Sequence, residues 1–427
     1  MRRLLACLLV GGFAAGSFAT DSRIIALGRH DNFFMDDYSI FRNPANVSIF
    51  PNMLMGSPGE FRALINRDTS AIGKMGSGLQ RTNRDAQRPY AGGILSYSFN
   101  KSSEAGSQYP MFSFAPVLNR YDEWLDYVIP GTPKFNDAFE NFAATGDTAL
   151  DHIYVPRPAG KIDLLLGYAF KNGGMIGVGG YIAQQKDFLP SGDEDSALEA
   201  SLYKGSVGIN WPLAKTTDIE ASLDIGSAKC VARSGGTAVG LTGDLDERAL
   251  MIKGDARVFT ALSVLNGDLV PHLGVDYINM ERYTLTRVAA GLGININVDK
   301  GFGWAGLEFL TEQKNRGSYG QDSRGFGGRL SFGFERNLLW DWFLFRAGVS
   351  KRLLYVTDPD GNQGRLEENA EGDASDDDFL GCGIGFNVEN RLKIDMVLAE
   401  DFFYTFSNLI SSPQDHLFTR FSITYSF

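Results

Sequence analysis

The sequence predicts an all-β fold: a transmembrane antiparallel up-and-down β-barrel of about fourteen strands, with sixteen as the alternative count. Three observations lead there. The chain ends on His416-Leu-Phe-Thr-Arg-Phe-Ser-Ile-Thr-Tyr-Ser-Phe427, in which Phe427, Tyr425, Ile423 and Phe421 alternate with Ser426, Thr424, Ser422 and Arg420. A period of two with one apolar and one polar face is a strand whose sides meet different solvents. The same alternation recurs from residue 161 onward in thirteen segments. The links between those segments are short on one side and long on the other, the asymmetry of outer-membrane barrels.

The terminal strand comes first because its carboxyl-terminal aromatic resembles the insertion signal of bacterial outer-membrane barrels. On that reading Phe421, Ile423, Tyr425 and Phe427 face lipid and the alternate residues face the lumen. The last strand of a soluble sandwich is the plainer alternative. At the other end, residues 1–19 have a basic start (Arg2, Arg3), an apolar stretch and small residues at Ser17 and Ala19. That is a secretory signal peptide, too short to span a membrane, with cleavage expected after Ala19. The apolar run continues past Cys7, so the partial lipoprotein box around it predicts no lipidation.

Composition narrows the class. No later stretch holds 18 consecutive apolar residues, so only a closed barrel could cross a bilayer. A mean hydropathy of −0.13 suits a wall with half its residues facing water. The net charge of −11 becomes −13 without Arg2 and Arg3, so neither nucleic acid nor an anionic membrane surface would attract the chain. Cys230 in a loop and Cys382 on the lipid face predict no disulfide.

Along the ladder, Ile162, Leu164, Leu166 and Tyr168 lead into an Asn172-Gly173-Gly174 turn, a hairpin signature, before Ile176, Val178 and Ile182. Strands follow around 203–211, 219–225, 250–258, 268–278, 288–296, 303–311, 326–336, 342–351, 379–388 and 391–399, then the terminal strand. Single-chain bacterial barrels have even strand numbers. The segments 60–67, 91–99 and 110–117 supply the odd number of additions needed. The glycines of Gly381-Cys-Gly-Ile-Gly385 alternate with Leu380, Cys382 and Ile384, so they read as inward positions that leave room inside a barrel rather than a phosphate loop.

Before the ladder, Asn43-Pro44-Ala45 follows an acidic stretch and precedes Val47 and Ile49. This resembles a motif near the mature amino terminus of the FadL fatty-acid-transporter family, also present in PorV-type barrels of secretion systems. The resemblance rests on about thirty residues together with size, barrel pattern and the terminal Phe427. It implies a fourteen-stranded barrel whose amino-terminal segment folds into the periplasmic mouth as a hatch holding Asn43, Pro44 and Ala45. A simple Asn-Pro turn leading into the first strand is the alternative. The division expected is a signal peptide at 1–19, a hatch at 20–55 and the barrel at 56–427. Phe33, Phe34, Ile40 and Phe41 are too apolar for a free periplasmic tail, which also favours a hatch.

The lumen departs from an acyl-chain conduit. Inward ladder positions carry Asp163, Lys204, Glu220, Asp255, Arg257, Glu308, Arg329, Glu335, Arg346, Asp395 and Arg420. Buried charges of both signs require pairing or water, so the lumen is either an ion-paired filling or wet. In the long segment 118–160, Tyr121, Trp124, Phe135, Phe139 and Phe142 have helical spacing. They would either capture an apolar ligand on the extracellular side or fold over the mouth as a lid. The loop starting at Asp358, Asp360 and Asn362 lacks a calcium loop's sixth-position Gly and has Asn369 where a Glu is needed. A solvated acidic loop is the expectation, with no metal site.

The four histidines, His30, His152, His272 and His416, accompany no nucleophile elbow or zinc pair, although Asp415-His416 could activate water. No catalytic residue and no cofactor are assigned, and the chain reads as a non-enzyme. The expected function is to bind or transport a small, largely apolar molecule. The alternatives are a docking barrel with a protein partner in a secretion complex, and a diffusion porin. Outer-membrane lipid is the expected surrounding, and nucleic acid is not a partner.

Overall fold

The structure, a computed structural model, describes residues 21–60, 89–99, 109–127, 160–188, 197–233, 245–280, 283–315, 322–338, 340–359, 365–366, 379–389, 391–398 and 418–427. The strands are β1 (Met53–Glu60), β2 (Tyr90–Ser98), β3 (Met111–Leu118), β4 (Gly160–Ala169), β5 (Met175–Phe188), β6 (Ala197–Ala214), β7 (Thr217–Arg233), β8 (Leu245–Leu262) and β9 (Gly267–Met280). After these come β10 (Thr284–Val298), β11 (Gly301–Asn315), β12 (Ser323–Asn337), β13 (Phe343–Pro359), β14 (Arg365–Leu366), β15 (Phe379–Val388), β16 (Leu392–Leu398) and β17 (Phe418–Ser426). β14 only extends the edge of β13. The other sixteen pair antiparallel with their neighbours, and β1 closes the ring against β17 with Met53 opposite Ser426. The count is therefore sixteen: the expected segments 91–99 and 110–117 form β2 and β3, whereas the first strand is Met53–Glu60 rather than 60–67, of which residues 61–67 lie outside the described residues. The fourteen strands that the family resemblance implied are not what closes the wall.

Closure removes every sheet edge, which is what permits strands to stand in lipid. The outward positions carry the apolar belt: Leu164, Val178, Val207, Ile225, Leu292, Phe309, Phe332 and Ile423 are each exposed by more than a third. The terminal strand follows its predicted faces, with Ile423, Tyr425 and Phe427 exposed and Arg420, Ser422 and Thr424 buried. Aromatic residues collect at the short-turn end. Tyr168, Phe170 and Trp211 run edge to edge at 4.9 and 5.7 Å between centroids, and Trp340 stacks on Trp342 at 5.1 Å. Such a girdle marks the level of the lipid headgroups.

The Asn172-Gly173-Gly174 hairpin forms as its sequence predicts. Gly173 takes φ +86°, Asn172 accepts from the Gly174 amide at 3.1 Å, and the Phe170 amide donates to the Gly174 carbonyl at 2.8 Å. Cys230 is not in a loop. It lies in β7 and is fully buried, because β7 runs on to Arg233 and turns alternate residues inward. Cys382 sits on an outward position of β15 yet is only 4% exposed.

Candidate functional site

The site is the lumen, and its first occupant is the chain's own amino-terminal part. Helix α1 (Asp21–Ala26) leads into Leu27, then the 3-10 turns Asp37–Phe41 and Pro44–Ser48 precede β1. Asp36 caps the first turn by accepting from the Tyr38 amide, and Asn43 caps the second by accepting from the Ala45 amide, with Pro44 in the first helical turn. These caps break the chain into short turns that bend around the inner wall near the short-turn end.

The path can be followed from strand to strand. Ala26 lies over Gly383 of β15, the Leu27 backbone over Gly348 of β13, and Phe33 over Gly306 of β11 and Gly293 of β10. Arg257 of β8 donates to the carbonyls of Asp31 (2.6 Å) and Phe34 (2.8 Å). Asn46 donates to Glu220 of β7 at 2.7 Å, and Asn43 donates to the Ile209 carbonyl of β6 at 2.8 Å. The Pro44–Ala45 backbone lies over Gly177 of β5, and Ser48 over Gly167 of β4. At each of these glycines a Cβ would intrude on the segment, so the wall is bare where the segment passes. Ile40 crosses to the remaining wall, joining Met53, Met55, Tyr90, Ile94, Ala115, Val117 and Leu165 in one apolar cluster. Asn43, Pro44 and Ala45 are all buried inside the wall.

Charges fix this packing. Arg23 bridges Asp36 (2.7 Å) within the segment and Glu335 (2.8 Å) on β12. Glu335 in turn pairs with Arg346 of β13, and Arg346 with Asp395 of β16 at 2.5 Å. Arg257 pairs with Glu220 at 2.9 Å, and Arg42 pairs with Asp31. Of the two lumen states left open by the sequence, the structure takes the ion-paired one at this level. Burial opposes charge on Arg23, but Glu335 and Asp36 hold its pKa above the ordinary value. Asp37 differs. Its carboxyl is 2% exposed, neither oxygen has a hydrogen-bond donor, and burial followed by the Asp36 charge drives its pKa well above the carboxylate range. It is held neutral.

His272 of β9 has carboxylates on both sides. Its Nδ1 meets Glu308 at 2.8 Å and its Nε2 meets Asp255 at 2.9 Å. Both ring nitrogens are committed, so the ring has none to offer a substrate as general base. Arg329 completes the group by pairing with Glu308. His152, His416 and Asp415 lie outside the described residues.

The second occupant comes from the segment after β3. Residues 119–127 turn into the barrel and end in the 3-10 turn Glu123–Tyr127. Arg120 pairs with Asp163 of β4 (2.8 Å) and with Asp122 (3.0 Å), and Lys204 of β6 reaches Asp122 at 2.6 Å. Burial works to raise the Asp122 carboxyl, but the Lys204 and Arg120 cations hold it below the usual range. Trp124 is 4% exposed and rests over Gly226 of β7. Around it, Leu125, Tyr127, Leu202, Met251, Ile278, Met280 and Leu285 form an apolar cluster, with Tyr121 packed against it. Trp124 is thus turned inward rather than displayed, because the small inward residues Ala183, Ala200, Ala228 and Ala249 leave a recess for the turn. Phe135, Phe139 and Phe142 lie outside the described residues, as does most of the acidic loop after Asp358. The inward turn was hidden in the sequence; its one available signal was the pairing of Arg120 and Asp122 with opposite charges on inward strand positions.

Wall, belt and girdle define the class: a bacterial outer-membrane β-barrel. No family model matches the chain, and no curated protein matches it in sequence. Among solved structures, it is similar to OmpT, an outer-membrane protein of Vibrio cholerae, at 12% identity and TM-score 0.33, covering 87% of this chain and 96% of that one. It is similar to CdiB from Acinetobacter baumannii at 10% identity and TM-score 0.40, covering 88% of this chain and 60% of that one. The CymD monoaromatic hydrocarbon channel matches at 9% identity and TM-score 0.29, covering 91% of this chain and 92% of that one.

Proposed function

We propose that this protein is a plugged outer-membrane barrel that binds a small, largely apolar molecule on its extracellular side and passes it on only when residues 21–52 move. The observation that carries the reading is the two-level lumen. Near the long loops, β5 to β10 turn Leu202, Met251, Ile278, Met280 and Leu285 inward. A water-filled pore has a polar interior, whereas an apolar recess on the outer side suits an apolar guest. Below it, Arg23, Arg257 and Asn46 tie the amino-terminal segment to the wall. The test is mass spectrometry of organic extracts of the purified protein. A bound apolar compound that disappears in Met251→Asp supports the reading, and an identical extract from both proteins sinks it.

The docking alternative keeps one observation in its favour. Buried ion pairs that lose a partner cost about 3–5 kcal/mol, so a segment held by Arg23 and Arg257 is expensive to release. A barrel that never opens would act through its rims. Co-purification of a large membrane protein with no bound apolar compound would favour that reading.

A further inference from the structure

The two lumen occupants meet at one side chain. Arg120, on the turn that descends from the long-loop side, places its guanidinium 4.3 Å from the centre of the Phe41 ring on the amino-terminal segment. It also bears on Tyr38 of the same 3-10 turn, whose hydroxyl burial pushes up to about 12. The same guanidinium is held by Asp163 and Asp122, and the Arg120 carbonyl accepts from Tyr181 of β5 at 3.1 Å. A planar cation that stacks on one occupant and hydrogen-bonds to the other cannot shift without disturbing both.

We infer that Arg120 couples the turn 119–127 to the segment 21–52, so that loosening the extracellular occupant loosens the periplasmic one and the reverse. This rests on the proposed plug role of residues 21–52 and adds how that plug is controlled. A guest that displaces Trp124 from its recess pulls on Asp122 and Arg120, and the stack on Phe41 weakens. Coupling between two sites is reciprocal, which makes it testable from either side. Arg120 is a positioning residue in this scheme and touches no guest.

The experiment is amide hydrogen exchange on the purified full chain in detergent. Asp122→Asn loosens the turn by removing the carboxylate that pairs with Arg120 and Lys204, and exchange at residues 37–42 is expected to rise about five-fold, the low end of typical coupling. Phe41→Leu loosens the segment, and exchange at residues 122–127 is expected to rise similarly. In an Arg120→Ala background both cross-effects should vanish. If Arg120→Ala does not assemble, Arg120→Lys keeps a cation near Asp163 but loses the planar stack, and the same loss of cross-effects is expected. Effects that stay on their own side, or that persist without Arg120, overturn the inference. Conductance of the unaltered protein is recorded in parallel: an open pore there defeats the plug reading itself, whereas a closed one leaves any failure with the coupling.

Discussion

Gly177 and Asp37 show how far single residues decide the packing of this lumen. A Cβ on Gly177 would press into the Pro44–Ala45 backbone, whereas one on Gly180 meets nothing within 4 Å. Gly177→Ala is expected to destabilise the barrel by about 1–3 kcal/mol through overpacking, with Gly180→Ala near neutral. Thermal unfolding followed by the gel shift of folded barrel reads the difference, and equal shifts would refute the close approach. Asp37 sets a pH dependence. Its folded pKa lies above the ordinary 3.8, so its contribution to stability is complete below that value. It declines as the pH rises towards the folded pKa, because the unfolded chain ionises first. Melting temperature should therefore fall as the pH rises above about 4 by more in the unaltered protein than in Asp37→Asn. Parallel curves for the two would refute a raised Asp37 pKa.

At the scale of elements, the terminal strand and the amino-terminal segment carry the expectations. β17 pairs on both sides, with β16 and β1, and the Phe427 amide donates to the Asn52 carbonyl at 3.0 Å. Removing Phe427 takes away that seam contact together with the outermost aromatic. Heat-modifiable barrel in the outer membrane is expected to drop severalfold in a fractionation assay, and normal assembly would contradict the insertion role. Arg23 holds α1 to β12 from a fully buried position. Arg23→Met leaves Asp36 and Glu335 without it, at a cost of about 3–5 kcal/mol. Removing Glu335 as well, in an Arg23→Met, Glu335→Leu double variant, should recover part of that loss, which separates an unpaired charge from lost packing.

For the whole molecule, the occupied cross-section predicts that the intact protein is nearly non-conducting in a planar bilayer. Deleting residues 21–46 removes the segment that touches β15 round to β5, and large, steady channels should follow. A conducting intact protein, or a deletion that changes nothing, would end the plug reading. A closed ring of sixteen antiparallel strands should assemble in the deletion variant as well, because most of the wall pairing is independent of the lumen.

The sequence by itself determined the wall. Inside–outside alternation is a local, period-two property, so strands from Ile162 to Phe427 and the faces of Ile423, Tyr425, Arg420 and Thr424 could be read from spacing alone. The inward charges were legible for the same reason. Strand number was less so, because the early segments carry weaker alternation, and only ring closure between Met53 and Ser426 settles it. Which charge pairs with which, that Trp124 turns inward, and that glycines on eight strands bare the wall along the path of residues 26–48 were decided by the tertiary structure. These contacts join residues tens to hundreds of positions apart. Their partners are chosen by where closure of the barrel brings them, a distance that no local pattern encodes.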